Sequence, residues 1–273
     1  MRRGICCTWS SDRRSRCFIE SSGAGLGSGL RAGENTHSTA SAPAPDRNPN
    51  PAPIPIPLMS SPKFSAVIFD MDGVIIDSEP RHERAFLDVF EQMGYGQTHG
   101  IQFEQYLGRS DRAVWIDFIA QHNPKWTLEE LTAWKQNHLI EILRREQPIF
   151  DGLPELVAKV ATRYRTAVAS GSVHPVIDEV LAMKHLRQFF PVVVSAQDVA
   201  QGKPAPDIFL RAAALIGVAP ETCCVIEDSA AGVTAARAAG MTAIAITNTL
   251  PAGKLTHAHH VVRTYEEIES LLL

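Results

Sequence analysis

The chain has 273 residues, 45% of them hydrophobic and 21% charged, with a formal net charge of −4. That length and balance suit one α/β domain with a modest insertion around a sizeable buried core. A slightly acidic chain lacks the basic face of a nucleic-acid binder, and no apolar run approaches the roughly 20 residues that span a bilayer, so neither partner is expected.

Residues 1 to about 62 are rich in Ser, Gly and Arg and then in Pro, ending in the alternating Pro49–Pro57 stretch. Such a segment cannot bury enough apolar surface to offset its ordering entropy, so a disordered tail is expected over 1–62. Gly23–Gly29 does not have the G-x-G-x-x-G spacing of a nucleotide loop and reads as linker. The cysteines suggest no disulfide framework. Cys6, Cys7 and Cys17 lie in the tail, while Cys223 and Cys224 sit in an apolar run where a thiol acts as a small hydrophobe. A reducing compartment follows: the cytoplasm, or an organelle if residues 1–58 are a transit peptide. A monomer is the default expectation.

From Phe64 onward, short apolar runs alternate with amphipathic patterns. Ser65–Phe69, Thr166–Ala169, Val192–Val194, Cys223–Ile226 and Thr242–Ile246 predict strands covered on both faces. Between them, Leu156, Val157 and Val160, then Val176, Ile177, Val180 and Leu181, then Ile208, Phe209, Ala212 and Ala213 predict helices. Gly217 and Gly240 stand at helix C-terminal cap positions. This order predicts a doubly wound, Rossmann-like parallel sheet, in which ligands bind beyond the carboxyl ends of the strands.

About a hundred residues separate the first strand from the second, and they read as helices only. Ala85, Phe86, Val89, Phe90 and Met93 form one stripe. Leu128, Leu131, Trp134, Leu139, Ile142 and Leu143 form another, opened by a capping box of Thr127 with Glu130. The expected division is a core of residues 63–78 and 152–273, with an all-helical cap over 79–151 acting as a lid. Asp77 is expected to cap the first cap helix. His257, His259 and His260 are expected in a surface loop, and Trp115 and Trp134 in the cap core.

Each strand stops at chemistry-bearing residues: Asp70-Met-Asp72-Gly-Val, then Ser170-Gly-Ser172, then Gly202-Lys203-Pro, then Glu227-Asp228-Ser229. A parallel sheet brings these places to one edge. Clustered carboxylates need a cation, and an all-oxygen donor set suits Mg2+. With Lys203, that cation would offset the repulsion between an aspartate nucleophile and a phosphate, while Ser170 and nearby N–H groups, as at Gly171, hold the phosphoryl oxygens.

These four motifs resemble the signature motifs of the haloacid dehalogenase-like hydrolase superfamily, over essentially all of residues 64–273. A helical cap between the first two motifs is the arrangement of the subgroup containing β-phosphoglucomutase and many sugar-phosphate phosphatases. The resemblance implies that Asp70 becomes an aspartyl-phosphate and that Asp72 protonates the leaving group and then activates water. It also implies that Asp70, the backbone carbonyl of Asp72, and Asp228 ligate Mg2+ with Glu227 close by, and that Ser170 and Lys203 bind the phosphoryl group. Dehalogenases of the superfamily lack the second aspartate, so Asp72 favours phosphoryl transfer.

On the cap, His82 stands where the mutase-like subgroup has a histidine, and Gly108-Arg109-Ser110 resembles its substrate-entry loop. Lys135 resembles its cap lysine. Where β-phosphoglucomutase has an arginine, this chain has Asp111, with Arg109 and Arg112 as substitutes. The function expected is therefore Mg2+-dependent hydrolysis of a small phosphomonoester such as a sugar phosphate. A phosphohexomutase and a non-catalytic sugar-phosphate binder are the alternatives.

Overall fold

The computed structural model describes residues 63–106 and 111–273. The expected disorder of residues 1–62 and the entry loop at Gly108–Ser110 lie outside the described residues. Six parallel strands form one sheet: β1 (Ala66–Phe69), β2 (Arg165–Ser170), β3 (Val192–Ser195), β4 (Cys223–Glu227), β5 (Thr242–Ile246) and β6 (His260–Val262). Their order is β3-β2-β1-β4-β5-β6. The chain runs outward from β1 in one direction and returns to β4 on its other side, so β1 and β4 flank the place where strand order reverses. A crevice opens at that point in a doubly wound sheet.

The helices are α1 (Glu79–Gln92), α2 (Asp111–His122), α3 (Leu128–Glu146), α4 (Leu153–Arg163), α5 (His174–Ala182), α6 (Asp207–Ile216), α7 (Ala230–Ala238) and α8 (Tyr265–Leu272). Strand alternation divides the core in two. Val67, Phe69, Val168, Ile226, Ile244 and Ile246 pack with residues of α4, α5 and α8. Ala66, Ile68, Ala167, Ala169, Ala243 and Ala245 pack with α6 and α7. The second face is built largely of alanine, which lets its helices approach closely; the first needs bulk to fill a wider gap.

The insertion is helical, as expected. Phe86, Val89, Phe90, Val114, Trp115, Phe118 and Leu131 join α1, α2 and α3 in a core of their own. Trp115 is fully buried there, with Phe86, Phe90 and Phe118 around its ring. The Thr127–Glu130 capping box opens α3. The insertion leaves and re-enters the core at one place: Asp77 N–H donates to Pro148 O at 2.9 Å, and Phe150 N–H to Ile75 O at 3.3 Å.

Two expectations need correction. Asp77 does not cap α1; the cap position is Ser78, without a side-chain cap bond, and Asp77 instead accepts from Arg81 Nη1 at 2.7 Å. Pro80 at the start of α1 lacks an N–H to cap, and the Ser78 hydroxyl is committed elsewhere. His260 is not in a loop but opens β6, an edge strand paired with β5, and His259 Nδ1 accepts from Ala243 N–H at 3.0 Å. Three residues with one buried valine carry too short a period to be read from the sequence. Among the described residues no helix is long and apolar enough to cross a membrane.

Trp115→Ala empties the centre of the cap core. Its expected cost is about 3–5 kcal/mol of stability, read by denaturant unfolding.

Candidate active site

β1 pairs with β2 on one side and β4 on the other, in parallel register. Asp70, Ser170 and Glu227 therefore arrive at the same edge from three adjacent strands. Lys203 reaches them from the loop ahead of α6. Its Nζ donates to Asp70 Oδ1 at 2.7 Å and to Glu227 Oε1 at 2.6 Å.

Glu227 is fully buried. Its second oxygen accepts from Asp228 N–H at 2.9 Å, Ser229 N–H at 2.8 Å and Ser229 Oγ at 2.9 Å. The carboxylate thus ties the start of α7 to Lys203, where the helix N-terminus favours negative charge. Gly232 makes room for it, since a Cβ there would fall 1.6 Å from Glu227 Oε1. Gly73 makes room for Asp228: its φ is +74°, and a Cβ would lie 1.8 Å from Asp228 Oδ2.

The two aspartates of the first motif occupy opposite surroundings. Burial pushes Asp70 up to about 7; Lys203 opposes this, while Glu227 and Asp72 add to it. Burial also lifts Asp228 well above the carboxylate range, reinforced by Glu227 and Asp70. Burial works against ionised Asp72 too, but donors outweigh it. His82, with the hydroxyls of Ser78 and Ser172, holds Asp72 down at about 2. Ser78 Oγ donates to Asp72 Oδ1 at 2.7 Å, and Ser172 Oγ and Ser170 Oγ to Oδ2 at 2.8 and 3.3 Å. His82 Nε2 lies 3.6 Å from Oδ1 as a charge contact.

Asp70, Glu227 and Asp228 each offer an oxygen, all within 4.8 Å of one another. Three buried carboxylates against one lysine leave a charge excess, and the raised proton affinities of Asp70 and Asp228 express it. A hard divalent cation with oxygen preference fits that set. Both Glu227 oxygens are already engaged, so Asp70 and Asp228 are the freer ligands.

The other expected site residues divide. Gly171 is exposed at the end of β2, between Ser170 and Ser172, and Arg112 is exposed on α2. Arg109 lies outside the described residues. Lys135 is fully buried, with Nζ 2.7 Å from Asp111 Oδ2 and 2.6 Å from His82 Nδ1. Residues that sequence reasoning did not assign also meet here: Ser78, Ser172, Asn248 and Tyr265. Asn248 Nδ2 donates to Gly73 O at 2.8 Å, and Tyr265 OH to Val74 O at 2.7 Å, pinning the loop that carries Asp72. Asn248 follows β5, so the strand-end rule applied to the fifth strand reaches it.

The profile described as haloacid dehalogenase-like hydrolase matches residues 64–240. The chain belongs to the haloacid dehalogenase-like hydrolases. The hydrolase is 34% identical over 191 residues to hexitol phosphatase B of Escherichia coli (strain K12), covering 69% of this chain and 86% of that one. It is 35% identical over 187 residues to a fructose-1-phosphate phosphatase of the same organism, covering 67% and 96%. Among solved structures it resembles a protein from Thermotoga maritima described as a putative β-phosphoglucomutase, with TM-score 0.62 and 28% identity, over 76% of this chain and 98% of that one.

The charge excess predicts a pH-dependent response to metal. Folded Asp70 and Asp228 bind protons more tightly than unfolded carboxylates, whose ordinary value is 3.8. The metal-free hydrolase should therefore lose stability as pH rises from about 4 through about 7, where native Asp70 must give its proton up, with Asp228 adding to the loss in the same direction. A divalent cation held by that set would take their place, so the effect of added Mg2+ on Tm should be larger near pH 8 than near pH 6, as ligands must be deprotonated to bind. A Tm indifferent to Mg2+ at both pH values would speak against the metal site.

Proposed function

We propose that this hydrolase is a Mg2+-dependent phosphatase of small phosphomonoesters, sugar phosphates among them, with Asp70 as nucleophile. The observation that carries the reading is the contrast at one strand end. Asp70 faces a lysine in a carboxylate-rich pocket, while Asp72, two residues on, is surrounded by hydrogen-bond donors. The hexitol and fructose-1-phosphate phosphatases among its relatives support a sugar-phosphate substrate.

Asp70 attacks phosphorus, forming an O–P bond as the ester P–O bond breaks, and the leaving oxygen takes a proton from Asp72. Asp72 is ionised in the resting site. A phosphoryl group arriving beside it raises its proton affinity, so it can carry the proton it delivers. Water then attacks the aspartyl-phosphate, returns a proton to Asp72 and releases inorganic phosphate, restoring Asp70. Ser170 and the Gly171 N–H hold phosphoryl oxygens, and Lys203 opposes their charge. Bound by Asp70, Asp228 and the Asp72 carbonyl, Mg2+ would lower the repulsion between carboxylate and phosphate. Glu227 keeps Lys203 and the Asp228 loop in place.

31P NMR on a panel of sugar phosphates with Mg2+ tests this. Inorganic phosphate should grow, and Asp70→Asn should cut turnover by about 10³-fold or more. A new sugar-phosphate signal without free phosphate would mean return of the phosphoryl group to sugar. Undiminished turnover in Asp70→Asn would remove Asp70 from the chemistry. Separately, Asp72→Ala should trap phosphorylated Asp70 when given an activated aryl phosphate, because leaving-group protonation then matters less than water activation. Mass spectrometry reads the added phosphoryl group, and its absence at all quench times counts against Asp72 as base.

A further inference from the structure

We infer that Asp111, braced by Lys135 and His82 beside Asp72, is a specificity residue. It admits leaving groups that are neutral and hydroxyl-bearing, and turns away those carrying a second anionic group. The inference rests on the phosphatase reading above and names its substrate class.

Geometry puts Asp111 where the leaving group must extend. Asp72 serves the leaving oxygen, so the carbons beyond that oxygen lie past Asp72 on the cap side. There the imidazole of His82 stands between two carboxylates, with Nε2 3.6 Å from Asp72 Oδ1 and Nδ1 3.4 Å from Asp111 Oδ1. His82 Nε2 is buried and turned to Asp72, which leaves Asp111 as the member of this group that a leaving group can reach. Asp111 stands at the first turn of α2, where an aspartate often turns onto backbone N–H groups. Its two oxygens instead meet His82 and Lys135.

Charge then decides what the wall accepts. Lys135 is the cation an anionic group would seek, but its side chain is 0% exposed. Its Nζ is engaged by Asp111 and His82 and lies 4.8 Å from the Phe86 ring. Asp111 is the accessible member, with 28% of its side chain exposed against 20% for His82. Glu79 adds a further carboxylate to the same neighbourhood. At the described wall Asp111 is the accessible anion with Glu79 near it, while Lys135 lies buried behind Asp111.

An ionised carboxylate accepts from adjacent hydroxyls on both oxygens, which suits a polyol. A second phosphate or a carboxylate meets like charge at Asp111, whose buried partner Lys135 is already engaged, and such juxtaposition is how sites reject a competitor.

Matched substrate pairs test this. Fructose 1-phosphate against fructose 1,6-bisphosphate, and glycerol 3-phosphate against 3-phosphoglycerate, differ only in a far anionic group. For wild type, kcat/KM should favour the neutral member of each pair by about tenfold or more. Asp111→Asn should narrow both ratios by a similar factor, chiefly through KM, with Tm checking that the variant is folded. Equal kcat/KM within the pairs overturns the inference, as does an unchanged ratio in folded Asp111→Asn. If the variant does not fold, the wild-type pairs decide alone. p-Nitrophenyl phosphate separates the two levels. If wild type hydrolyses it but does not discriminate, only the role of Asp111 falls; if it hydrolyses no ester, the phosphatase reading falls and this inference with it.

Discussion

Everything at the edge of this sheet depends on Lys203 lying between Asp70 and Glu227. Two adjacent strands, β1 and β4, deliver three carboxylates to one buried place, and without a cation among them that edge would not hold together. Burial lowers the proton affinity of Lys203, but its two anionic partners outweigh that and hold it charged. Glu227 extends the same interaction into backbone, through the first N–H groups beyond β4 and the Ser229 hydroxyl. Two glycines exist to keep this arrangement free of side chains: Gly73 against Asp228 and Gly232 against Glu227. The catalytic edge is thus assembled by charge, and the hydrophobic sheet beneath serves to aim it.

The cap contributes a second, separate electrostatic unit. Its own aromatic core around Trp115 packs α1, α2 and α3 together, and on these helices His82, Asp111 and Lys135 contact one another. Arg81 and Arg84 of α1 both reach Glu146 at the end of α3, fastening the two helices where they meet the core. Ser78 bridges the two units, since it starts α1 and donates to Asp72. On the reading proposed here, chemistry resides on the sheet and selection on the cap, with Asp72 touched by both.

Much of this was legible in the sequence. Buried parallel strands leave continuous apolar runs, and a strand followed at once by Asp70 or Glu227 announces a functional edge. The cap stripes of α1 and α3 were visible for the same reason. What escaped had identifiable causes. Helix α2 buries only Val114, Trp115 and Phe118 and exposes Ile116, so its period is faint. β6 is too short to show alternation. The Ser78 hydroxyl turned to Asp72 instead of α1, a choice made by how the loop from Asp72 to Ser78 folds back and not by helical periodicity. Asp111 was noticed as a departure from an expected arginine, but its pairing with Lys135 spans 24 positions and no periodicity encodes it.

The side-by-side crossings at Asp77–Pro148 and Ile75–Phe150 carry a consequence for how such a protein can change over time. Because the insertion begins and ends at neighbouring backbone positions, the sheet's connectivity is indifferent to what is threaded between them. A different set of helices, longer or shorter, can be accommodated there without altering strand order or the spacing of Asp70, Lys203 and Asp228. Selectivity can thus drift through substitution in the insertion while the reacting groups stay under unchanged constraint.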